Sequence, residues 1–340
     1  MLQNTEEPQP GPPKGAHAPL SYQFPALFSP TDLPATIADL YLKTEVDLNV
    51  CQQIWEEFSP KASLFDTWSF RLAFYHAYQF QPYFITLRDK TRIFAVLPLW
   101  YNPEKKEYQW FGSWWHENNS FFARDPVFIP ALLKIAPQNL WLNAISATEA
   151  AKLKNQVMLE PEEAKYVLHL DKFNNLDEYL SSLKKKKRYN LKRDKKFIDA
   201  QQPQIFINRF NDFDNMVKTN KARFDSKGQE SSLQDPRDEL TLANILKLAN
   251  SNQEYQVRMV TVEIGGKVAG IDLIVIYKNI YYPLKGGNNV ADFPGIGNYL
   301  TLYEIEDAIN LGMKKVDVLQ NDYGWKESMF EREELFQYKK

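Results

Sequence analysis

The sequence predicts an α+β protein made of two similar units in tandem, each a mostly antiparallel mixed sheet flanked by helices. Two observations carry this expectation. The order strand, strand, strand, helix, strand occurs twice at similar spacing, over residues 82–145 and again over 257–319. Along both stretches the apolar period changes from that of strands to that of a helix and back. The matching order reads as an internal duplication; the other reading is chance agreement between two ordinary α+β patterns.

Length and composition agree with two domains. The chain has 340 residues, of which 44% are hydrophobic and 25% charged, as in ordinary globular proteins. Aromatics reach 14%, which suggests deep cores or a lined groove. A formal net charge of −2 argues against a nucleic-acid binder that uses its whole surface, while local patches stay open. Cys51 is the only cysteine, so no intrachain disulfide forms. No apolar run approaches the roughly 18–20 residues of a membrane helix. The N-terminus lacks a signal-like apolar segment, and a cytoplasmic location is the expectation.

Residues 1–20 hold five prolines and two glycines and are expected to form a disordered tail. A first unit is expected over 21–165 and a second over 166–340. In the first, helices are expected over Val46–Phe58 and Thr67–Gln79, where Trp55, Trp68, Leu72 and Tyr75 recur at helical spacing and read as core. PYFITLRD, TRIFAVLPLWY and KEYQWFGS then read as an antiparallel meander, followed by a helix over Val127–Ala136 and a strand over Leu140–Ile145.

Between the meanders lies the most charged segment. LDEYLSSLKKKKRYNLKRDKKFID is expected to be one helix, with Leu176, Leu180, Leu183, Leu191 and Ile198 as its apolar stripe. Nine of the thirteen residues Lys184–Lys196 are Lys or Arg. This is either a solvated basic face or a phosphate-binding helix. Two more helices follow, over 210–224 and 238–250. The polar stretch DSKGQESSLQDP between them is either a mobile loop at a substrate entrance or an inert surface loop.

The second meander is VRMVTVE, KVAGIDLIVIY and IYYPLKGG, followed by PGIGNYLTLYEIEDAINLG and VDVLQNDYGWKESMF. Gly295 and Gly297 precede a helix, where exposed N–H groups form an anion site and Asn298 can cap or touch the same anion. The alternative is a tight connecting turn. Lys326 follows Trp325 and precedes Met329 and Phe330, so its ammonium either snorkels to water or sits in a partly desolvated site. His17, His76, His116 and His169 are scattered without metal-ligand spacing. No Gly-x-Ser-x-Gly and no phosphate loop of the Gly-Lys-Ser/Thr type exist. Trp114, Trp115 and His116 line a cleft or pack in the core.

The segments KKKKRYNLKRDKK, GKVAGIDLIVIYKNIYYPLKGG, PGIGNYLTLYEIEDAINLG and VDVLQNDYGWK resemble the GNAT-fold acyltransferases, and among them the FemAB-like and CelD-type branch. The resemblance runs over about 80–335 and is strongest over about 176–330. It implies tandem GNAT-like units and transfer of an acyl or aminoacyl group to an amine. The implied donor is an acyl-coenzyme A or an aminoacyl-tRNA, with no tightly bound cofactor. By position, Lys187, Arg188 and Arg193 match the family's phosphate-facing helix, Gly295 and Gly297 its pyrophosphate loop, and Lys326 its closing lysine. Phe293 and Pro294 stand where the coenzyme A loop carries Arg or Gln.

On this reading the amine attacks the donor carbonyl directly. Lys326 is the candidate positive group at the oxyanion or the donor phosphate, Asp322 or Asp272 the base, and Tyr299 or Tyr323 the acid for the leaving group. The contrasting expectation is a non-catalytic protein that binds an anionic polymer or membrane surface through the basic helix.

Overall fold

The computed structural model describes residues 40–112, 118–153, 156–321 and 324–340. The proline-rich tail, Trp114, Trp115, His116, Asp322 and Tyr323 therefore lie outside the described residues.

The first unit runs β1 (Tyr41–Glu45), α1 (Leu48–Phe58), α2 (Trp68–Tyr78), β2 (Pro82–Arg88), β3 (Ile93–Asn102), β4 (Glu107–Trp110), β5 (Phe122–Ala123), α3 (Ile129–Ile135), β6 (Trp141–Ser146), α4 (Ala147–Lys152) and β7 (Glu160–His169). After α5 (Leu176–Ser182) and α6 (Lys185–Asp199), the order recurs. It runs β8 (Gln204–Ile207), α7 (Phe213–Asp225), α8 (Pro236–Asn252), β9 (Gln256–Ile264), β10 (Lys267–Tyr277), β11 (Ile280–Asn288), α9 (Ile296–Asn310), β12 (Lys315–Gln320) and β13 (Glu331–Lys339). The tandem architecture expected from sequence is present.

Strand order shows how the units join. One sheet is β1-β2-β3-β4, with β5 beside β3, and the other is β6-β13-β7-β12-β11-β10-β9-β8. A parallel bridge from Tyr108 to Leu140 links β4 to β6. Read across both sheets, each strand of one unit except β5 mirrors a strand of the other about the β13–β7 pair. The last strands are exchanged. β13 lies against β6 of the first unit, and β7 lies against β12 of the second. A buried ion pair fastens the crossing: Lys165 Nζ on β7 lies 2.7 Å from Asp317 on β12.

Packing follows the apolar faces. One core joins both units, with Trp55, Trp68, Phe74, Trp100 and Phe111 from the first and Met216, Leu242, Leu273 and Tyr282 from the second. The aromatic stripes of α1 and α2 are thus core, and Trp68 stacks on Phe111 at 5.1 Å. A second core lies under α5, α6 and α9, and a third under α3. Asp47 caps α1 by accepting from Asn49 N and Val50 N, both at 3.0 Å.

One expectation is corrected. The segment taken as one helix over 176–199 is two helices, broken where Leu183 and Lys184 turn extended, with ψ of 153° and 138°. The break lets Leu183 pack inward. Arg188 Nη1 then donates to Ser181 O at 2.9 Å, serving a carbonyl that the end of α5 leaves open.

Candidate active site

β11 and β12 start as parallel neighbours, pairing Ile280 with Lys315 and Tyr281 with Val316, and then part. The opening between them is held from both sides. On the β12 side, Leu319 and Asn321 adopt left-handed conformations, each with φ of 66°. Lys326 is buried on the turn that follows, and its Nζ donates to Val318 O at 2.6 Å, Leu319 O at 3.2 Å and Gln320 O at 2.6 Å. The register of β12 against β7 is interrupted between Asp317 and Gln320, and the ammonium serves the carbonyls there. Of the two sequence readings of Lys326, snorkelling to water is excluded.

On the β11 side two glycines form the floor. A Cβ at Gly287 would overlap the Met216 carbonyl oxygen of α7, and a Cβ at Gly286 would overlap the Asp272 carboxyl. α7 and the Asp272 side chain can therefore lie directly on the main chain. Asn220 Nδ2 donates to Gly286 O at 2.5 Å, and Ser231 Oγ donates to Asn220 Oδ1 at 2.6 Å. Lys285 Nζ donates to Ser232 Oγ at 2.7 Å, and burial lowers its proton affinity. In the segment between α7 and α8, residues 225–230 are exposed, while Ser231 and Leu233 are buried and hold its second half in place.

Asp272 and Glu304 form a buried carboxyl pair beneath this floor, one from β10 and one from α9. Burial pushes Asp272 up to about 7, against the pull of its hydrogen bond with Glu304 and the charge of Arg223. Glu304 is pushed well above the usual carboxyl range by burial, then by Asp272. Asp272 was a candidate base from sequence. Glu304 and Lys285 were not foreseen, and the one available signal was a carboxylate within the apolar strand AGIDLIVI.

The remaining sequence candidates gather at the α6–α9 contact. Gly295 starts α9 with φ of 90°, and a Cβ there would lie 3.0 Å from Asp194 Cβ on α6. Asn298 Nδ2 donates to Asp194 Oδ2 at 2.7 Å, and Arg193 Nη2 lies 2.8 Å from Asp194 Oδ1. A carboxylate thus already stands at the positive end of α9. A Cβ at Gly297 would meet only Asn288 Nδ2, at 3.7 Å. Tyr299 faces α6, where Lys195 Nζ lies 5.7 Å from its ring centre. Burial, then Asp199, pushes its phenol up to about 12. Lys187 and Arg188 lie half-buried on the first turns of α6.

The outer face of α6 exposes Lys184, Lys185 and Lys186 with Tyr189 and Phe197, which are 68% and 52% exposed. Its inner groove against α5 and α9, about 420 Å³, is charge-balanced: Lys192, Lys195 and Lys196 face Asp177, Asp199 and Glu306. Among the described residues no helix is long and apolar enough to cross a membrane.

The corresponding opening in the first unit is filled. Asn119 bridges to Ile145 between β4 and β6, and its Nδ2 donates to Asn143 O at 2.9 Å. Trp110 Nε1 donates to the same carbonyl at 2.9 Å. The buried Arg71 donates to Asn119 Oδ1 at 2.6 Å.

Comparison with known proteins agrees with this geometry. Residues 185–327 match the model of the acetyltransferase (GNAT) domain, so the second unit, with its parted strands, carries a GNAT domain. The whole chain shares its fold with several solved structures. It is similar to FemX at 11% identity and TM-score 0.56, covering 88% of this chain and 97% of that one. It is similar to L-PGS from Bacillus licheniformis at 13% identity and TM-score 0.53, covering 87% and 92%. A tandem GNAT protein from the clavulanic acid biosynthesis pathway is similar at 10% identity and TM-score 0.50, covering 88% and 98%. No curated protein sequence matches the chain.

Proposed function

We propose that the chain transfers an acyl or aminoacyl group from an activated donor to an amine, at the opening between β11 and β12. The observation that carries this is the parting of two parallel strands after two residue pairs, beside a glycine floor. An extended donor arm can add to the bare edge of β11 as a strand would. Main-chain N–H groups there are fixed donors for the oxyanion formed when the amine attacks the carbonyl. Lys326 acts mainly on shape, because its ammonium donates to three carbonyls and thereby keeps β12 bent away.

For the donor, the place of Asp194 favours an aminoacyl-tRNA over an acyl-coenzyme A. A pyrophosphate at the start of α9 would meet that carboxylate, whereas the outer lysines of α6 and exposed Tyr189 suit a long polyanion. Either donor is a co-substrate, so no tightly bound cofactor is required. Transfer of radiolabel from a charged tRNA pool or from acetyl-coenzyme A to an amine panel tests this. The expected result is product from the tRNA pool. Absence of product from both, with salt-sensitive RNA or vesicle binding, would favour a non-catalytic polymer or membrane binder, the reading that the exposed aromatics on α6 keep open.

A further inference from the structure

A second cavity, about 480 Å³, lies in the first unit, where the turn between β3 and β4 meets the start of β6 and the end of β13. The bridge from Tyr108 to Leu140 places it at the start of β4 and β6, away from the closed gap by Asn119 and Ile145. Trp141 is its centre. The indole is half-buried, and its Nε1 donates to Gln337 Oε1 at 3.0 Å, which fixes the ring. Lys105 Nζ lies 5.2 Å and Lys339 Nζ 5.9 Å from the ring centre. Lys106 stands exposed on the same wall.

Lys340 is engaged by the fold. Its Nζ donates to Leu133 O at 3.3 Å, Lys134 O at 2.6 Å and Ala136 O at 2.5 Å, at the end of α3. The carboxylates facing the other lysines are Glu107, which accepts from Gln109 Nε2 at 3.2 Å, and Glu162, which feels the charge of Lys339. Of these only Glu107 lines the cavity. Three exposed ammonium groups therefore gather at one ring with a single lining carboxylate. The groove under α6 is the contrasting case, with three lysines facing three carboxylates. Attraction of an ammonium to an exposed ring is weak and does not by itself hold like charges together. An entering anion would offset their repulsion and draw them off the ring, leaving an indole face on which a flat group can stack.

We propose that this cavity binds a nucleotide, with its base stacked on Trp141 and its phosphates held by Lys105, Lys106 and Lys339. The volume lies within the range of about 300–1,000 Å³ usual for small-molecule sites. Base plus phosphate can come from a free nucleoside triphosphate or from the single-stranded end of an RNA. No bond is made or broken there, and occupancy does not depend on acyl transfer.

Calorimetry on the full chain with ATP, tripolyphosphate, adenosine and a short oligoadenylate tests this. ATP should bind at least about 10-fold tighter than tripolyphosphate, a difference that stacking of one base accounts for, and adenosine should bind more weakly than ATP. Trp141→Ala should weaken ATP about 10–100-fold and leave tripolyphosphate within a few-fold. Lys105→Gln combined with Lys339→Gln changes only exposed side chains. It should weaken ATP about 10-fold and flatten the salt dependence of its binding. Azido-ATP should photolabel the peptide that carries Trp141, which reads the site in the wild-type chain even if Trp141→Ala does not fold. Tighter binding of ATP than of oligoadenylate assigns a free nucleotide as occupant, and the reverse assigns an RNA end; both support the site. Equal binding of ATP and tripolyphosphate, unchanged in Trp141→Ala, would overturn it and leave a plain cationic patch. Photolabel confined to other peptides, or no binding of any probe at millimolar concentration, would overturn it as well.

Discussion

Lys326→Met isolates what the buried ammonium does for the fold. Methionine keeps the apolar stem and removes three donors. Val318 O then stays buried without a partner, while Leu319 O and Gln320 O lie nearer to water and regain part of their hydration. A buried carbonyl left unpaired costs about 1–3 kcal/mol, and the two half-buried ones less. The expected loss is therefore about 2–4 kcal/mol, against about 0–1 kcal/mol for an ordinary surface lysine. Urea denaturation followed by tryptophan fluorescence measures it. Arginine should not rescue, because a planar fork cannot converge on three carbonyls as an ammonium does. A loss below about 0.5 kcal/mol would refute the reasoning. Lys326→Ala with full transfer activity and an intact fold would separately remove any direct role at the oxyanion.

Three further outcomes are expected. Asp194→Asn should lower stability by about 0.3–1 kcal/mol, since it takes a negative charge from the start of α9, and should strengthen coenzyme A binding by calorimetry. Lys165→Met should cost about 3–5 kcal/mol in denaturant melts, because Asp317 stays buried without its 2.7 Å partner. The third concerns pH. A carboxyl that holds its proton more tightly when folded stabilises the fold below its unfolded titration range, and that gain is lost as pH rises. For Asp272, pushed up to about 7, the loss between acid and neutral pH is at most about 4 kcal/mol, and D272N should flatten this part of the stability curve.

The two meanders were legible because their residues alternate or run apolar between short turns; β10 lies where KVAGIDLIVIY ends and begins. The exchanged strands were not. EPEEAKYVLH and EREELFQYK are rich in charge and lack the apolar alternation that marks the meander strands. In the fold their charges find partners: across the strands Lys165 lies 3.3 Å from Glu333, and just past β7 Lys172 lies 2.6 Å from Glu331. A period count sees each strand alone and misses a partner more than 140 residues away. The break at Leu183 escaped for a similar reason, since the apolar stripe continues through it. At the site, the apolar company of Lys326 was visible but its three carbonyl acceptors were not. Glu304 sits in LYEIED like any helix-surface glutamate, and only packing against Asp272 shows that it faces the core.

The near-symmetry of the fold explains why one opening serves and why both units are needed for it. A unit with this strand order parts its sheet between the third meander strand and the strand after the helix, so two openings arise from one plan. In the first unit Asn119, Trp110 and Arg71 close that gap with side-chain hydrogen bonds. Yet the open gap depends on the closed unit. Its β12 wall is anchored by β7, which belongs to the first unit in chain order, through Lys165 and Asp317. Its β11 floor is backed by a core that both units fill. Cutting the chain between the units would therefore strip the second of one wall strand, and the isolated second half should not retain the opening even though it contains the whole matched domain.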